Sequence, residues 1–165
     1  MLSWSRDVQN AMERYRVEKA KSLGYTPLGY SRSYAYAALD PGEQLLMGPV
    51  LAAPVALQRA GLSLRDMDLV EMHEAFAAQV LSNLKGFESK AWAERAGFSH
   101  PVGEVDRSRL NVMGGSLSIG HPFGATGARL LITCAERMRV EGARYGLVAT
   151  CAAGAIGNAF VLERS

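Results

Sequence analysis

The chain has 165 residues, of which 48% are hydrophobic and 21% charged, and its formal net charge is +2. That size and balance suit one globular domain, or half of a larger two-part enzyme, with apolar residues enough to fill a core. The small charge on scattered basic residues argues against nucleic acid, and no run approaches about 18 apolar residues, which argues against a membrane span.

The start, Met1-Leu-Ser-Trp-Ser-Arg-Asp7, lacks the charged-then-apolar layout of a secretory signal. Only Cys134 and Cys151 occur, too few for a disulfide framework, so a reducing setting is expected: cytoplasm, or an organelle matrix in a eukaryote. Basic residues gather only at Arg14–Arg16 and Lys19–Lys21, where Glu13 and Glu18 interleave with them as on a solvated helix face.

In chain order, Val8, Met12, Tyr15 and Lys19 at helical spacing predict a helix over about Asp7–Leu23, stopped by Gly24. Leu28, Tyr30, Arg32, Tyr34 and Tyr36 then alternate with small residues, the period of a strand, closed by Asp40-Pro-Gly42. A helix follows from Pro49 to Ala60 with Gly61 at its end. Pro54 implies either a bend or a true start nearer Ala53. Asp68–Met72 reads as a short buried strand feeding directly into a helix over His73–Lys85, ended by Gly86. A second helical piece spans about Glu88–Ala96, and the aperiodic Gly97–Arg109 reads as a surface connection. A glycine-rich loop, Gly114–Gly127, leads into a helix over about Ala128–Val140 with Gly142 after it. Strands over Tyr145–Thr150 and Asn158–Glu163 form a hairpin and close the chain. Strands alternating with helices before a final hairpin give an α/β fold with a mixed sheet.

Two residues carry the chemistry. Cys151 follows a β-prone apolar run and opens a small-residue turn, which holds a thiol still while letting backbone and ligand approach. A thiol titrates near 8.5 in a peptide, so it can act as acid and base where its surroundings bring it toward the working pH. The competing reading is a small buried apolar residue. His121 lies between Gly120 and Pro122 in the glycine-rich loop, where a histidine is either a general base or a satisfied turn residue. The density of glycines favours close approach by a ligand or another chain segment.

His73 falls at a strand-to-helix junction, where it can cap the helix or position water. Ala77 stands four residues on, so the two-histidine zinc spacing is absent and no metal is expected. His100, beside Pro101, reads as a loop residue, and Cys134, flanked by Leu130, Leu131 and Met138, as core. Gly114–Gly120 lacks the Gly-Lys-Ser/Thr ending of a phosphate loop, and neither Ser116 nor Ser118 has the glycine spacing of a nucleophile elbow.

Taken together, these motifs resemble the thiolase family. Asn111–Arg129 is similar to its Asn-x-x-Gly-Gly…Gly-His-Pro-x-Gly-x-Ser/Thr-Gly block at every anchored position, and Cys151–Ala159 to its C-terminal cysteine and glycine loop. His73-Glu-Ala-Phe-Ala77 resembles the Asn-Glu-Ala-Phe-Ala block with histidine for asparagine. That form, with Lys19–Gly29 and Tyr30–Leu39, is similar to the thiolase component of fatty-acid β-oxidation complexes. The resemblance covers residues 18–165. Residues 1–17 do not match and read as an extension or helix start.

The resemblance implies a thiolase-like C-terminal half, a mixed sheet with helices on both faces. It implies an acyltransferase that cleaves 3-ketoacyl-CoA with free CoA, or condenses in reverse, using CoA as co-substrate and no permanently bound cofactor. On this reading His121 activates a nucleophilic cysteine and helps bind the thioester oxyanion, Cys151 is the acid–base, and His73 holds a water sharing the oxyanion duty. Ala75 and Phe76 would line the CoA and acyl channel. Ala153 stands where a glycine usually offers its N–H to an oxyanion, beside Gly154, and Ala155 also replaces glycine.

The family's nucleophilic cysteine belongs to an N-terminal half, and no residue here matches it. The chain therefore reads as the second half, inactive alone, needing an N-terminal thiolase half or subunit and oligomeric in use. An apolar face left uncovered should drive association. Two rival readings are a non-catalytic CoA-binding or scaffold half, suggested by Ala153 and Ala155, and a truncated gene fragment.

Overall fold

The computed structural model describes residues 17–165. The N-terminal boundary at residue 17 and the start of the helix expected over Asp7–Leu23 lie outside the described residues. Within them, residues 17–22 are helical, and Gly24 ends the turn at φ 77° while Tyr25 N–H closes back on the Ala20 carbonyl.

Among the described residues four strands make one sheet: β1 (Gly29–Ala38), β2 (Leu69–Met72), β3 (Tyr145–Ala152) and β4 (Ile156–Arg164), in the order β1-β4-β3-β2. β2 and β3 are parallel, and the other two pairs are antiparallel, so the sheet is mixed as expected. The helices are α1 (Gly48–Ala60), α2 (Ala77–Phe87), α3 (Lys90–Arg95), a single turn α4 (Ser116–Ile119) and α5 (Thr126–Glu141). Helix α1 packs on one sheet face and α5 on the other.

Strand alternation builds both cores. Val70, Met72, Leu147, Ala149, Ala159 and Val161 face α1, while Leu69, Val148 and Leu162 join Leu130, Cys134 and Met138 of α5. In β1 the small residues Ser33 and Ala35 turn inward, and the Ser33 hydroxyl donates to the Ala56 carbonyl of α1 at 2.6 Å. The tyrosines point outward instead, where Tyr34 and Tyr36 cluster with Phe160 at 5.9 and 6.4 Å.

Proline 54 neither breaks nor delays α1, which runs unbroken from Gly48. A proline inside a helix costs one hydrogen bond, but Ala52, Ala53, Ala56 and Ala60 are buried against the sheet, and that burial prevails. Gly61 ends the helix at φ 69°, with Leu62 N–H reaching the Leu57 carbonyl. Gly86 is inside α2, not at its end. A side chain there would meet Val50 and Met47, so its absence lets α2 close on α1.

The larger departure is the start of α2. The helix expected from His73 begins at Ala77, because residues 73–76 are committed elsewhere. His73 N–H extends the parallel ladder to the Ala149 carbonyl at 2.9 Å, and the Gln79 side chain accepts from Ala75 N–H at 3.0 Å. Helix α5 begins earlier than expected, at Thr126, and takes in Gly127. In Gly97–Arg109, an irregular stretch as expected, Val105 is nonetheless buried in the core.

One buried ion pair ties β2 to α5: Arg137 Nη1 lies 2.7 Å from Glu71 Oε1, with both side chains sealed from solvent. Burial pushes the Glu71 carboxyl above its ordinary range, and the Arg137 hydrogen bond opposes it.

The backbones of α1 and β4 approach closely where Gly48 and Gly157 leave no room for a side chain on either. A methyl on residue 157 would overlap the Gly48 backbone. Urea denaturation of Gly157→Ala should show a loss of roughly 2–4 kcal/mol, as for overpacking against immovable backbone. A loss under about 0.5 kcal/mol would mean α1 is not seated on β4 in this way.

Candidate active site

The carboxyl ends of β2 and β3 point the same way, because the two strands are parallel. Residues leaving those ends are therefore neighbours: His73 just after β2 and Cys151 near the end of β3. The glycine-rich loop joins them through a polar clamp. Asn111 accepts Met72 N–H at 2.7 Å and donates both to the Met72 carbonyl at 2.9 Å and to Glu74 Oε1 at 2.7 Å. Glu74 Oε2 accepts Leu117 N–H at 3.1 Å, at the start of α4.

Two sequence features allow this. Asn111 holds φ 48°, a left-handed conformation that asparagine tolerates better than most residues. Gly115 passes so close to the Glu74 carboxylate that any side chain there would overlap it.

The result is one cleft of about 380 Å³, lined by His73, His121, Phe123, Thr126, Thr150, Cys151 and Ala153 among others. The His73 and His121 rings are 4.2 Å apart at 40°, and Phe123 lies 4.9 Å from the His121 ring. Of the residues singled out in the sequence, His73, His121, Cys151 and Ala153 meet here. Ala75, Phe76 and Gly154 lie outside the cleft wall, and Phe76 is exposed. Cys134 is fully buried against Gly146, in the core as expected.

Each chemical side chain is held by a neighbour. His121 Nδ1 meets the Thr126 hydroxyl at 2.6 Å, and no group among the described residues is bonded to its Nε2. His73 Nδ1 meets the Ser116 hydroxyl at 3.1 Å, and Arg129 Nη2 donates to that same hydroxyl at 3.1 Å. The Thr150 hydroxyl donates to Asn158 across the hairpin at 2.8 Å. Sequence reasoning assigned no role to Glu74, Asn111, Ser116, Thr126 or Arg129. Their only signal was membership of the quoted motifs, since the bonds of Asn111, Glu74 and Ser116 to one another's segments span some forty positions, and nothing local marks the closer pairs Thr126–His121 and Arg129–Ser116.

Burial shifts two groups toward neutrality. The His73 pKa falls from 6.5 to about 4, through burial first and then the charges of His121 and Arg129. Burial likewise pushes the Cys151 thiol from 9.0 up to about 11, outweighing the downward pull of its backbone hydrogen bond. Cys134, buried deeper, rises to about 12. Among the described residues no three His, Cys, Asp or Glu side chains are grouped to hold a metal, and no helix is long and apolar enough to cross a membrane.

Residues 25–164 match the thiolase C-terminal domain. The chain belongs to the thiolase family. It is 54% identical over 146 residues to the 3-ketoacyl-CoA thiolase of Shewanella amazonensis, covering 88% of this chain and 34% of that protein. Against the 3-ketoacyl-CoA thiolase of Colwellia psychrerythraea the identity is 52% over 149 residues, 90% of this chain and 34% of that one. The crystal structure of human mitochondrial 3-ketoacyl-CoA thiolase superposes with a TM-score of 0.73 at 33% identity, covering 90% of this chain and 33% of the human chain. The chain thus spans about a third of the length of the thiolases it matches, and its mixed sheet with helices on both faces is the thiolase fold.

The depressed His73 pKa sets a pH dependence. A histidine whose folded pKa lies below its unfolded value contributes stability present above pH 6.5 and lost as pH falls toward 4. NMR titration of the His73 ring should give a midpoint near 4, and a midpoint near 6.5 would mean the ring is solvated. Between those pH values the chain should lose roughly 2–3 kcal/mol more stability than a His73→Asn variant, which lacks the titrating ring.

Proposed function

We propose that this chain carries the acid–base half of a 3-ketoacyl-CoA thiolase site and works with a nucleophilic cysteine supplied from outside these residues. The observation that supports this best is that His73, His121 and Cys151 share one cleft at the ends of parallel strands.

In the forward reaction His121 Nε2 takes the proton of the incoming cysteine thiol, whose sulfur adds to the C3 ketone of 3-ketoacyl-CoA. The C2–C3 bond breaks and its electron pair passes to the acetyl-CoA enolate, with the His73 side holding a donor to the enolate oxygen. Cys151 gives its proton to C2 and acetyl-CoA leaves. The raised pKa of about 11 suits both of its duties. At neutral pH the thiol waits protonated. Once it has given the proton away, its thiolate is a stronger base than the CoA thiolate, so it takes the proton of the CoA thiol. The CoA sulfur then attacks the acyl-enzyme and releases the shortened acyl-CoA, and the expelled cysteine thiolate recovers the proton held on His121.

The backbone supports an active hairpin more than a degenerate one. Ala155 holds φ 59° where glycine would be easier, with its carbonyl bonded to Leu39 N–H at 2.8 Å, while Ala153 stays outside the left-handed region. Both alanines therefore fit the turn without displacing Cys151.

The rest of the enzyme has a surface to meet. Val112, Met113, Leu117, Ile119 and Phe123 are all exposed along the glycine-rich loop, Phe123 by 90%. An apolar run of that kind, reaching the cleft at Phe123, suits the remaining segment or subunit of a longer thiolase assembly. Light scattering of the chain alone should show self-association, and a clean monomer that binds no apolar dye would contradict that role for the surface.

Mixing the chain with the N-terminal part of a related thiolase should restore acetoacetyl-CoA cleavage. In that mixture His121→Ala and Cys151→Ala should each cost ~10²–10⁴-fold in rate. A folded complex with no gain over its separate parts would count against the reading, and saturable CoA binding without turnover would favour a scaffold.

A further inference from the structure

We propose that Ser116, held by Arg129, is a positioning residue that locks His73 in the tautomer with its proton on Nε2, making that N–H a fixed donor into the cleft. The inference deepens the proposed thiolase reading and rests on it only for the identity of the acceptor, the enolate or thioester oxygen.

Counting donors and acceptors carries it. A guanidinium only donates, so the Ser116 oxygen must accept from Arg129 Nη2 at 3.1 Å. Ser116 is buried, and its own O–H needs an acceptor. The one acceptor bonded to it among the described residues is His73 Nδ1, at 3.1 Å. The hydroxyl therefore points its proton at Nδ1, and the ring's single proton sits on Nε2. No protein group is bonded to His73 Nε2 among the described residues, and His73 lines the cleft, so this N–H is available to a ligand.

The second histidine has a different partner. The Thr126 hydroxyl has an alternative acceptor, the Pro122 carbonyl at 3.4 Å, so its oxygen is free to accept from His121 Nδ1 at 2.6 Å. A base needs that arrangement, with Nε2 bare. The two rings, 4.2 Å apart, are thus supplied with hydroxyl partners of opposite sense. Charge reinforces the assignment. Burial first, then His121 and Arg129, disfavour a second proton on His73 against the pull of Glu74, so it stays a neutral donor.

The position of Ser116 follows from the clamp already described. It opens α4, whose second residue, Leu117, is bonded to Glu74, and Glu74 is the residue after His73. The loop that brings the serine and the strand exit that brings the histidine are thereby tied at adjacent residues.

Long-range proton–nitrogen correlation spectra of the 15N-labelled 165-residue chain read the tautomer directly. Wild type should show His73 Nδ1 bare and Nε2 protonated. Ser116→Thr should keep that pattern. Ser116→Ala and Arg129→Met should each produce a mixture, and Ser116→Asp, which can only accept, should move the proton to Nδ1. Amide dispersion checks that each variant is folded. A wild type with the proton on Nδ1, or folded Ser116→Ala and Ser116→Asp variants with unchanged His73 spectra, would overturn the proposal.

In the reconstituted assembly Ser116→Ala should lower kcat about tenfold with KM little changed, and Ser116→Thr should restore it. The spectra need no turnover. A locked wild-type tautomer in an inactive assembly would refute the thiolase reading alone, whereas a fully active assembly whose wild-type His73 is a tautomeric mixture would refute the lock alone.

Discussion

The site depends on the clamp between Asn111 and Glu74. A strand exit and a glycine-rich loop have no intrinsic reason to lie together, since their residues are almost forty positions apart. Asn111 behaves as an extra ladder residue at the end of β2, taking both the N–H and the carbonyl of Met72. Its remaining N–H goes to Glu74, whose other oxygen caps the start of α4. The Asn111 bonds to Met72 are buried and its bond to Glu74 partly so, while the Leu117 bond lies at the surface; a charged hydrogen bond contributes more when shielded from water. His73 is one residue from Glu74, and His121 follows the end of α4 by two. Fixing the clamp fixes both rings.

Desolvation is the second organising force, and it acts on opposite charge types with one outcome. It lowers the basicity of His73 and raises the pKa of Cys151, so both groups rest neutral. A neutral imidazole can donate without competing for the proton that the thiol must deliver. A thiol with a raised pKa is a reluctant acid but a strong base after reaction. The deeper Cys134 obeys the same physics to no chemical purpose, because it faces Gly146 and the α5 core instead of a cleft. The difference between the two cysteines is position.

The legible parts of the fold were those written in local chemistry. The final hairpin, the glycine stops at Gly61 and Gly142, and the alternation of β1 all appear where their residue patterns put them. The errors have one origin. Helix α2 was expected to begin at His73 because an apolar helical period starts there, but His73 is held in the β2–β3 ladder and Gln79 clasps the two residues before the helix. Pro54 was expected either to bend α1 or to delay its start to about Ala53, and the start is not delayed: the helix runs from Gly48 with its alanines buried. Gly86 was read as a stop and serves as a close-packing point. In each case a tertiary contact outweighed a local preference of about 1–3 kcal/mol.

The amino-acid order alone set which groups are chemically able to act: a histidine between glycine and proline, a cysteine at a strand end, and the family that carries them. It also set where the chain can turn, because glycine and asparagine tolerate backbone shapes that other residues resist. Only the folded chain decided which groups meet, what charge they carry and which nitrogen holds a proton. Those properties depend on distance, burial and hydrogen-bond partners supplied by residues remote in sequence, and a linear pattern contains none of them.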